Sequence, residues 1–459
     1  MTLASLERLA VSLCTEVPTG LVEPARWRLL DFLVALGATR GGDEAGRAQA
    51  SVAALAPTGT VPLVVLPGRT SPFHAAHTWA RLARSSEVDD LHLGSCTTPG
   101  AVVLPALLAA ASFGGPIDIS RYTAAAAAGY EAVARLGAAI SGPRLLAAGI
   151  WPTLAVAPLG AAVTVARALG GGPSEVRAAM ARAGPMVALG RPADEAARWL
   201  AFGGAVAGGV AAGLAAMDER GAEARGGLDW TDRLPVPFAL AELEPDGATF
   251  DALGSTTVKP FCVAGQAAAA VALAAAYRGE LLGGPPARHI VAWVPSQVLD
   301  MVSRMPQDRL TSLSSVPLGV AHGLLEPERL FEGTRGARLA EGAGGLGARL
   351  AEMMGRVEVR ADERLSADFP RRWGGRLTVT REDGGELELR EGEAALGPPR
   401  GLGSLEAKAR KVVPGFSAGA SGALREACAR FEELGGLIGE LEELLGGDAP
   451  AARGGGEAA

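Results

Sequence analysis

The first half of the chain is a series of apolar stretches with helical spacing. Between residues 23 and 36, apolar side chains recur every three or four positions, with Arg26 and Arg28 between them and Gly37 after the last one. This spacing predicts an amphipathic helix that ends at the glycine. The same reasoning predicts three further helices, joined by turns rich in Gly and Pro, at residues 121–140, 155–169 and 173–183.

Strand-like segments appear after about residue 256. Residues 289–295 and 376–380 are rich in β-branched and apolar side chains, and residues 386–390 follow across the turn sequence Asp383-Gly384-Gly385. Two short strands joined by such a turn are typical of a hairpin. This part of the chain is therefore predicted to be a smaller α/β unit.

Helical spacing returns towards the end of the chain, at residues 405–412 and 421–445. Residues 446–459 are rich in Gly and Ala without periodicity, and we expect a flexible tail there. The expected fold class is mainly α with an α/β part.

Composition narrows the range of partners. Hydrophobic residues make up 48% of the 459 residues and aromatic residues only 5%, which suits closely packed helices better than sheets with bulky faces. The net charge is -7, and no cluster of Lys and Arg interleaved with aromatic residues occurs, so we expect no nucleic-acid partner. The four cysteines lie far apart and form no Cys-x-x-Cys pair, which indicates neither a zinc site nor a disulfide framework and favours a cytoplasmic protein.

Two stretches without charged residues, 145–166 and 200–217, are long enough to raise the question of a membrane span. The first contains Pro152 and Pro158, and both are rich in Ala and Gly. Buried core helices explain them better, and the N-terminus lacks the basic flank and apolar core of a signal peptide. We therefore expect no membrane partner.

The densest group of polar residues between apolar segments is the stretch 89–100. It combines the adjacent carboxylates of Asp89 and Asp90, the imidazole of His92 and a turn that ends at Gly100. Such a cluster is either a solvated loop or the rim of a functional site, and we favour the second interpretation.

Several segments, taken in their order along the chain, resemble the MmgE/PrpD superfamily. Asp89-Asp90-Leu91-His92 through Thr98-Pro99-Gly100 is similar to the Asp-Asp-Thr-His and His-Pro-Gly segment of that family. Further resemblances lie at 128–136 (Ala-Gly-Tyr-Glu through Arg-Leu), Lys259-Pro260-Phe261, Ser315-Val316-Pro317, 369–373 (Phe-Pro-Arg-Arg-Trp) and 405–408 (Leu-Glu-Ala-Lys).

The resemblance implies a fold, an assembly and a type of chemistry. It implies an all-helical domain built from residues 1–256 and 401–445, with a smaller α+β lid domain inserted at residues 257–400. It also implies a cytoplasmic homodimer without metal or cofactor, and an active site between the two domains. Enzymes of this family remove a proton next to a carboxylate of a small polycarboxylate, then lose water or carbon dioxide or return the proton to the other face.

Several basic residues of the family pattern are replaced in this sequence. Thr98 stands where the family has the His before Pro-Gly, and Pro152 follows Trp151 where a second His is expected. Arg198 takes the position of a Lys, and Gln266 is the polar residue nearest to the position of a further His. The family mechanism is therefore not carried over unchanged.

His92, Lys259 and Asp89 are the candidate catalytic residues. His92 is a candidate general base whose tautomer Asp89 or Asp90 would fix, although a structural histidine that ties the loop to the next helix is equally open. Lys259 is a candidate anchor for a carboxylate, or a base if it is desolvated, against the alternative of an ordinary solvated lysine. Asp90 is assigned a structural role through bonds to backbone amides, and Ser315 a structural role at the lid.

Substrate contacts are expected from Arg198, Thr98, Gln266, Trp151, Phe261 and Cys262. Arg198 can hold a carboxylate with two parallel hydrogen bonds but cannot act as a base, and its alternative is a surface ion pair with Asp194 or Glu195. Cys262 is otherwise a small buried hydrophobic residue.

The sequence thus predicts a cofactor-independent lyase or isomerase that transfers protons on a small carboxylate with fewer carboxyl groups than a tricarboxylate. Dehydration, a double-bond shift, decarboxylation and cyclisation in a specialised biosynthetic pathway are all compatible with these residues. The alternative is a catalytically impaired protein of the same fold with a binding or assembly role. The enzyme hypothesis predicts that Lys259 and His92 face each other across one enclosed cavity.

Overall fold

The computed structural model describes residues 2–220, 229–243, 250–303, 305–334, 346–390 and 396–445. Within these ranges the chain forms 21 α-helices and six short strands, so the predicted fold class, mainly α with an α/β part, is confirmed. The predicted tail at residues 446–459 lies outside the described residues.

Eleven helices precede residue 256. They are α1 (Leu3–Ser12), α2 (Val22–Gly37), α3 (Asp43–Leu55), α4 (Pro72–Ser85), α5 (Gly100–Ala110), α6 (Ile119–Ala139), α7 (Gly142–Ala147), α8 (Pro152–Ala168), α9 (Pro173–Ala183), α10 (Glu195–Asp218) and α11 (Asp251–Ser255). A two-residue pair, β1 (Val61–Pro62) and β2 (Arg69–Thr70), lies between α3 and α4. The four helices predicted here are present, with ends displaced by no more than three residues.

The α/β part begins with α12 (Gly265–Ala276) and contains a four-stranded sheet. Its elements are α13 (Arg278–Leu282), β3 (Ala287–Val294), α14 (Leu299–Val302), α15 (Arg309–Ser314), α16 (Val316–Leu325), α17 (Leu346–Gly355), β4 (Val357–Ala361), α18 (Glu363–Asp368), β5 (Arg376–Arg381) and β6 (Glu386–Arg390). The strand order is β4-β3-β5-β6, with β3 and β4 parallel and the other pairs antiparallel. The predicted hairpin is therefore β5–β6.

The chain ends in three helices, α19 (Leu402–Val412), α20 (Ala418–Arg430) and α21 (Leu434–Leu445). The stretch 421–445 is thus two helices rather than one. They separate where Phe431 has an extended backbone and Leu434 donates a backbone hydrogen bond to the carbonyl of Ile117. Backbone groups that bond another part of the chain cannot continue a helix.

Two hydrophobic cores account for most of the buried side chains. One contains residues of α1 to α11 together with α19, α20 and α21, and the other contains residues of α12, α16 and the four-stranded sheet. The domain boundaries expected from the family resemblance stay a prediction. Lys408 of α19 connects the end of the chain to the first core, since its Nζ lies 2.5 Å from Asp31 Oδ1 and donates to the carbonyl of Val88.

Helix α10 is long and apolar enough to cross a membrane, but 56% of its most apolar window is buried within the protein. It packs against α8, where Gly209 allows the close approach, because a Cβ there would meet the carbonyl oxygen of Pro158 at 2.3 Å. Charge-free helices rich in Gly and Ala are therefore core helices here, as the sequence predicted.

Candidate functional site

A cavity of about 420 Å³ lies where the two hydrophobic cores meet. Its wall is formed by the end of α4, the segment after it, the loop before α8, the start of α10, the start of α12, and the loop after β3. Five of the residues predicted to act at a site line this cavity, namely Thr98, Trp151, Arg198, Lys259 and Gln266.

A second depression, of about 570 Å³, lies beside Trp293 and the start of α18. Arg376 pairs with Asp362 there at 2.8 Å, and none of the predicted site residues lines this depression. The cavity between the two cores is therefore the candidate site.

Four buried charged residues form one connected group, which we call the ion-pair quartet: Arg84, Glu87, Asp89 and Lys259. Arg84, Glu87 and Lys259 line the cavity, whereas the predicted catalytic residue Asp89 lies behind the wall in contact with Lys259. Lys259 Nζ donates to Asp89 Oδ1 at 2.9 Å and to Glu87 Oε2 at 3.2 Å. Arg84 Nη1 lies 2.9 Å from Glu87 Oε1 and 3.4 Å from Asp89 Oδ1. No side chain of the quartet exposes more than 8% of its surface, and its two cations balance its two carboxylates.

Local geometry brings the quartet together. Helix α4 ends at Ser85, and Glu87 then adopts a left-handed backbone with φ of 52°. That reversal places Glu87 beside Arg84 in the last helical turn. A non-glycine residue in this region is strained by about 1–3 kcal/mol, which the surrounding structure must offset. The ion pairs of Glu87 with Arg84 and Lys259 are the contacts that hold it there.

Electrostatics fix the protonation of two quartet members. Burial alone would raise the pKa of Glu87, but Arg84 and Lys259 outweigh burial and hold the pKa of this carboxyl far below its usual range. Burial disfavours the charge on Arg84, yet Asp89 and Glu87 reverse the effect and raise the pKa of the guanidinium. Glu87 is therefore a poor proton acceptor at neutral pH. The buried Oδ2 of Asp89 has no hydrogen-bond partner among the described residues.

Arg198 stands apart from the quartet. Its guanidinium lies over the ring of Trp151, 4.2 Å from the ring centroid, and 5.5 Å from that of Trp199. Burial, followed by the nearby Arg84, lowers the pKa of Arg198 to about 10, so the group stays charged at neutral pH. No carboxylate of the described residues lies within ion-pair distance of it, and its buried Nε has no hydrogen-bond partner there.

The predicted alternative for Arg198, a surface ion pair, is not found. Asp194 instead caps α10 by accepting from the backbone N–H of Ala197 at 2.7 Å, and Glu195 pairs with Arg309. Arg198 therefore lines the cavity without an ion-pair partner among the described residues, although Glu87 and Glu195 are near enough to favour its charge.

Thr98 and Gln266 supply uncharged polar groups to the wall. Thr98 is buried, and its backbone N–H donates to Thr153 Oγ1 at 3.1 Å. Gln266 is half-buried at the start of α12, and its side-chain amide makes no hydrogen bond with any described residue. Both are available to hydrogen-bond a small molecule.

His92 does not line the cavity, so the predicted arrangement of His92 facing Lys259 across it is not found. Its Nδ1 lies 2.8 Å from Ser95 Oγ, and its backbone pairs with Thr97 in a short bridge. Burial, and then Arg28, lowers the pKa of His92 to about 4. A group with that pKa is a weak general base at neutral pH. This geometry corresponds to the alternative interpretation of His92 as a structural histidine.

Side chains alternate in direction along the extended segment 89–92, and this explains why His92 does not line the cavity. Asp89 contacts Lys259 and Leu91 lines the cavity, whereas Asp90 and His92 point to the other side. Successive side chains of an extended chain face opposite directions. The sequence shows no periodicity over so short a stretch, so this orientation was not visible in it.

Asp90 fastens this segment to the helices behind it. Its Oδ1 accepts from the backbone N–H of Gly100 at 2.9 Å and its Oδ2 from the hydroxyl of Tyr130 at 2.7 Å. Burial raises the pKa of Asp90 to about 6, although Arg28 opposes that shift. A Cβ at Gly100 would lie 2.8 Å from Asp90 Oδ2, so the close approach requires glycine.

Three other predicted site residues lie outside the cavity wall. Phe261 packs against Phe331, with 5.7 Å between ring centroids, and Cys262 is fully buried, with its Sγ donating to the carbonyl of Phe331 at 3.4 Å. Ser315 accepts from the backbone N–H of Leu318 and caps α16. The chain passes into a buried loop directly after Lys259, which turns Phe261 and Cys262 away from the cavity.

Arg84 and Glu87 are the wall residues that the sequence analysis missed. Both precede Asp89 by five residues or fewer, and a search for charged residues just upstream of the polar segment would have found them. The apolar part of the wall was also missed, and it consists mainly of Leu91, Leu146, Ile150, Val298, Met301 and Leu310.

Comparison with known proteins gives one match. Residues 9–226 match the family model of the MmgE/PrpD N-terminal domain. No curated protein matches the chain. The matched range contains Arg84, Glu87, Asp89 and Arg198, whereas Lys259 lies beyond it.

Proposed function

Since the chain belongs to the MmgE/PrpD superfamily through its domain at residues 9–226, and members of that family are typically dehydratases or related lyases, we propose that its cavity is the active site of a cofactor-independent lyase or isomerase. The substrate would be a small carboxylate. The reaction would include a proton transfer at the carbon next to that carboxylate.

One observation carries this proposal. The ion-paired ammonium of Lys259 and the unpaired guanidinium of Arg198 both line the same buried cavity. A guanidinium presents a planar fork of donors that matches a carboxylate. Removing a proton from the neighbouring carbon spreads negative charge onto that carboxylate, and a cation held in place in a site of low polarity stabilises this charge.

Lys259 is the proposed proton-transfer residue. Its Nζ touches Asp89 Oδ1, so a proton that moves from the ammonium to this carboxylate leaves a neutral amine on the cavity wall. That amine removes the proton from the substrate carbon and becomes an ammonium again. The same ammonium then delivers the proton to a leaving hydroxyl or to another carbon, while the proton held by Asp89 returns to the amine.

The other polar groups of the wall have supporting roles in this proposal. Glu87 stays ionised and holds Lys259 in position, because its pKa lies far below neutral pH. Thr98 and Gln266 line the cavity and would hydrogen-bond a hydroxyl or carbonyl group of the substrate. Dehydration, a double-bond shift and cyclisation would begin with removal of this proton. Decarboxylation would instead release carbon dioxide first, and the Lys259 ammonium would then deliver a proton to the carbon that lost it. We propose one of these four reactions.

The experiment is a turnover screen with the full chain. Hydroxy acids and unsaturated acids are incubated with the wild type, with Lys259→Arg and with Arg198→Met, and products are followed by liquid chromatography with mass detection. We expect turnover of at least one acid by the wild type and a loss of about 100-fold or more in Lys259→Arg, which keeps the charge but cannot act as a base. Equal turnover by Lys259→Arg would overturn the role of Lys259.

A second candidate function is binding without catalysis. The observation in its favour is that no histidine lines the cavity among the described residues, while both carboxylates of the quartet are engaged in ion pairs. A protein of this kind would bind a carboxylate at Arg198 and turn over none of the acids in the screen. The same screen, combined with a binding measurement, separates the two candidates.

A further inference from the structure

Resting on the proposed function, and narrowing its substrate class, we infer that the cavity takes a substrate with one carboxylate and an apolar body. The chemical class is an amphipathic monocarboxylate. Two properties of the wall, its balance of charge and its apolar side, support this inference independently of each other.

Among the described cations of the cavity wall, Arg198 is the one without a carboxylate within ion-pair distance. Arg84 and Lys259 are neutralised by Glu87 and Asp89 within the quartet, and Arg198 is the cation that remains. Burying an unpaired charge is unfavourable, so one bound anion relieves this cost. A second carboxylate would find no free cation among the described residues of the wall and would lie close to the carboxylates of the quartet.

The other side of the cavity is apolar. Leu146 and Met301 pack against the core of the α/β part, and Ile150 and Leu310 pack against the helical core, so all four belong to fixed surroundings. Burial raises the pKa of the Cys96 thiol, which keeps this wall residue uncharged. An apolar group buried against these side chains gains about 25 cal/mol for each Å² removed from water.

The test is calorimetric titration of the full chain with three probes. Phenylbutyrate has one carboxylate and an apolar body, phenylbutyramide has the same body without charge, and tricarballylate has three carboxylates without an apolar body. We expect phenylbutyrate to bind about tenfold more tightly than each of the other two, which corresponds to about 1.4 kcal/mol. Tighter binding of tricarballylate, equal binding of the amide, or no binding of phenylbutyrate at about 10 mM would each overturn the inference.

Three variants test whether the probes contact both Arg198 and the apolar side of the cavity. Arg198→Met should weaken phenylbutyrate binding about tenfold or more and leave phenylbutyramide unchanged, since it removes only the charged contact. Met301→Asn should weaken both probes. Arg121→Met, which removes an exposed arginine on α6, is the matched control and should change neither. An unchanged affinity for phenylbutyrate in Arg198→Met would contradict the assigned anion site.

The failure of this inference can be told from the failure of the proposed function. If phenylbutyrate binds as expected and no acid is turned over, the ligand class stands and the lyase or isomerase proposal is wrong. If the wild type turns over a tricarboxylate while phenylbutyrate does not bind, the enzyme proposal stands and the ligand class is wrong.

Discussion

Two sets of cations lie on the wall of one cavity and differ in how their charge is balanced. In the ion-pair quartet, Arg84 and Lys259 each contact both Glu87 and Asp89. Arg198 rests on the rings of Trp151 and Trp199 without a carboxylate partner among the described residues. The charges of the quartet balance one another, although Arg84 Nε and Asp89 Oδ2 have no hydrogen-bond partner among the described residues. Arg198 has no carboxylate within ion-pair distance among those residues.

This difference indicates that the quartet residues stabilise the structure of the site and that Arg198 binds the ligand. Removing a member of a closed buried network leaves an uncompensated charge and costs stability. Removing a cation that has no partner costs the folded chain little, and its loss is felt only when an anion binds. Substitutions in the quartet should therefore reduce mainly the stability of the fold, whereas substitution of Arg198 should reduce mainly the affinity for an anion.

The largest effect on stability is expected for Lys259→Met. The substitution leaves Glu87 and Asp89 buried with Arg84 as their one cation, and breaking a buried pair in this way costs about 3–5 kcal/mol. Denaturant unfolding followed by circular dichroism measures this loss. Lys408→Met is the matched control, since it breaks the buried pair with Asp31, and it should be destabilised comparably yet still bind phenylbutyrate. A stable Lys259→Met variant would show that the quartet is not a closed network.

A smaller loss is expected for Glu87→Gln, which keeps the shape of the side chain and removes its charge. Two charge-assisted contacts are weakened, and we expect a destabilisation of roughly 2 kcal/mol in denaturant unfolding. The wall gains one unmatched positive charge, so the affinity for tricarballylate in calorimetric titration should rise relative to phenylbutyrate. If the ratio of the two affinities is unchanged, the charge of the wall does not set the ligand class.

A comparable effect, confined to acid pH, is expected at His92. The pKa of His92 in the folded chain is about 4, below its ordinary value of 6.5. Because the unfolded state binds the proton more tightly, stability is fully present above pH 6.5 and is lost as pH falls towards 4, by on the order of 2 kcal/mol at pH 5. His92→Gln should remove this part of the loss between pH 7 and pH 5 in denaturant unfolding.

His92→Gln should also leave phenylbutyrate binding unchanged at pH 7, since His92 does not line the cavity. If His92→Gln loses phenylbutyrate binding while the pH dependence of its stability stays unaltered, His92 contributes to the ligand site and this account of it is wrong.

The smallest effect on stability is expected for Arg198→Met. With no ion pair to break, the free energy of unfolding should change by less than about 0.5 kcal/mol, as for substitutions away from buried networks. The measurement is the same unfolding experiment. A loss as large as that of Lys259→Met would mean that Arg198 also holds the fold, and the contrast between the two sets would disappear.

The fold could be predicted from the sequence because its signals are long and periodic. Helix α9 was predicted with its observed bounds, and α8 begins at Pro152, where proline suits the first helical turn. Helical spacing was predicted over residues 421–445, and two helices form there. The break between them coincides with a backbone hydrogen bond from Leu434 to Ile117, a tertiary contact that local periodicity does not reveal.

The site could be predicted only in part, for a physical reason. Residue type and a family resemblance identified Lys259 and Arg198, which do line the cavity. The orientation of the His92 side chain depends on the few extended residues before it. In an extended segment, a shift of one residue turns a side chain to the opposite side of the chain. The left-handed turn at Glu87 is likewise invisible in the sequence, since glutamate rarely adopts it.

Solvent deuterium exchange tests the central claim most directly. An acid that passes the turnover screen is incubated in heavy water with the wild type and with Lys259→Arg, and the protons next to its carboxylate are followed by nuclear magnetic resonance. We predict that the wild type exchanges these protons and that Lys259→Arg, folded and still able to bind the acid, does not. Exchange at the same rate in both proteins would contradict proton transfer by Lys259.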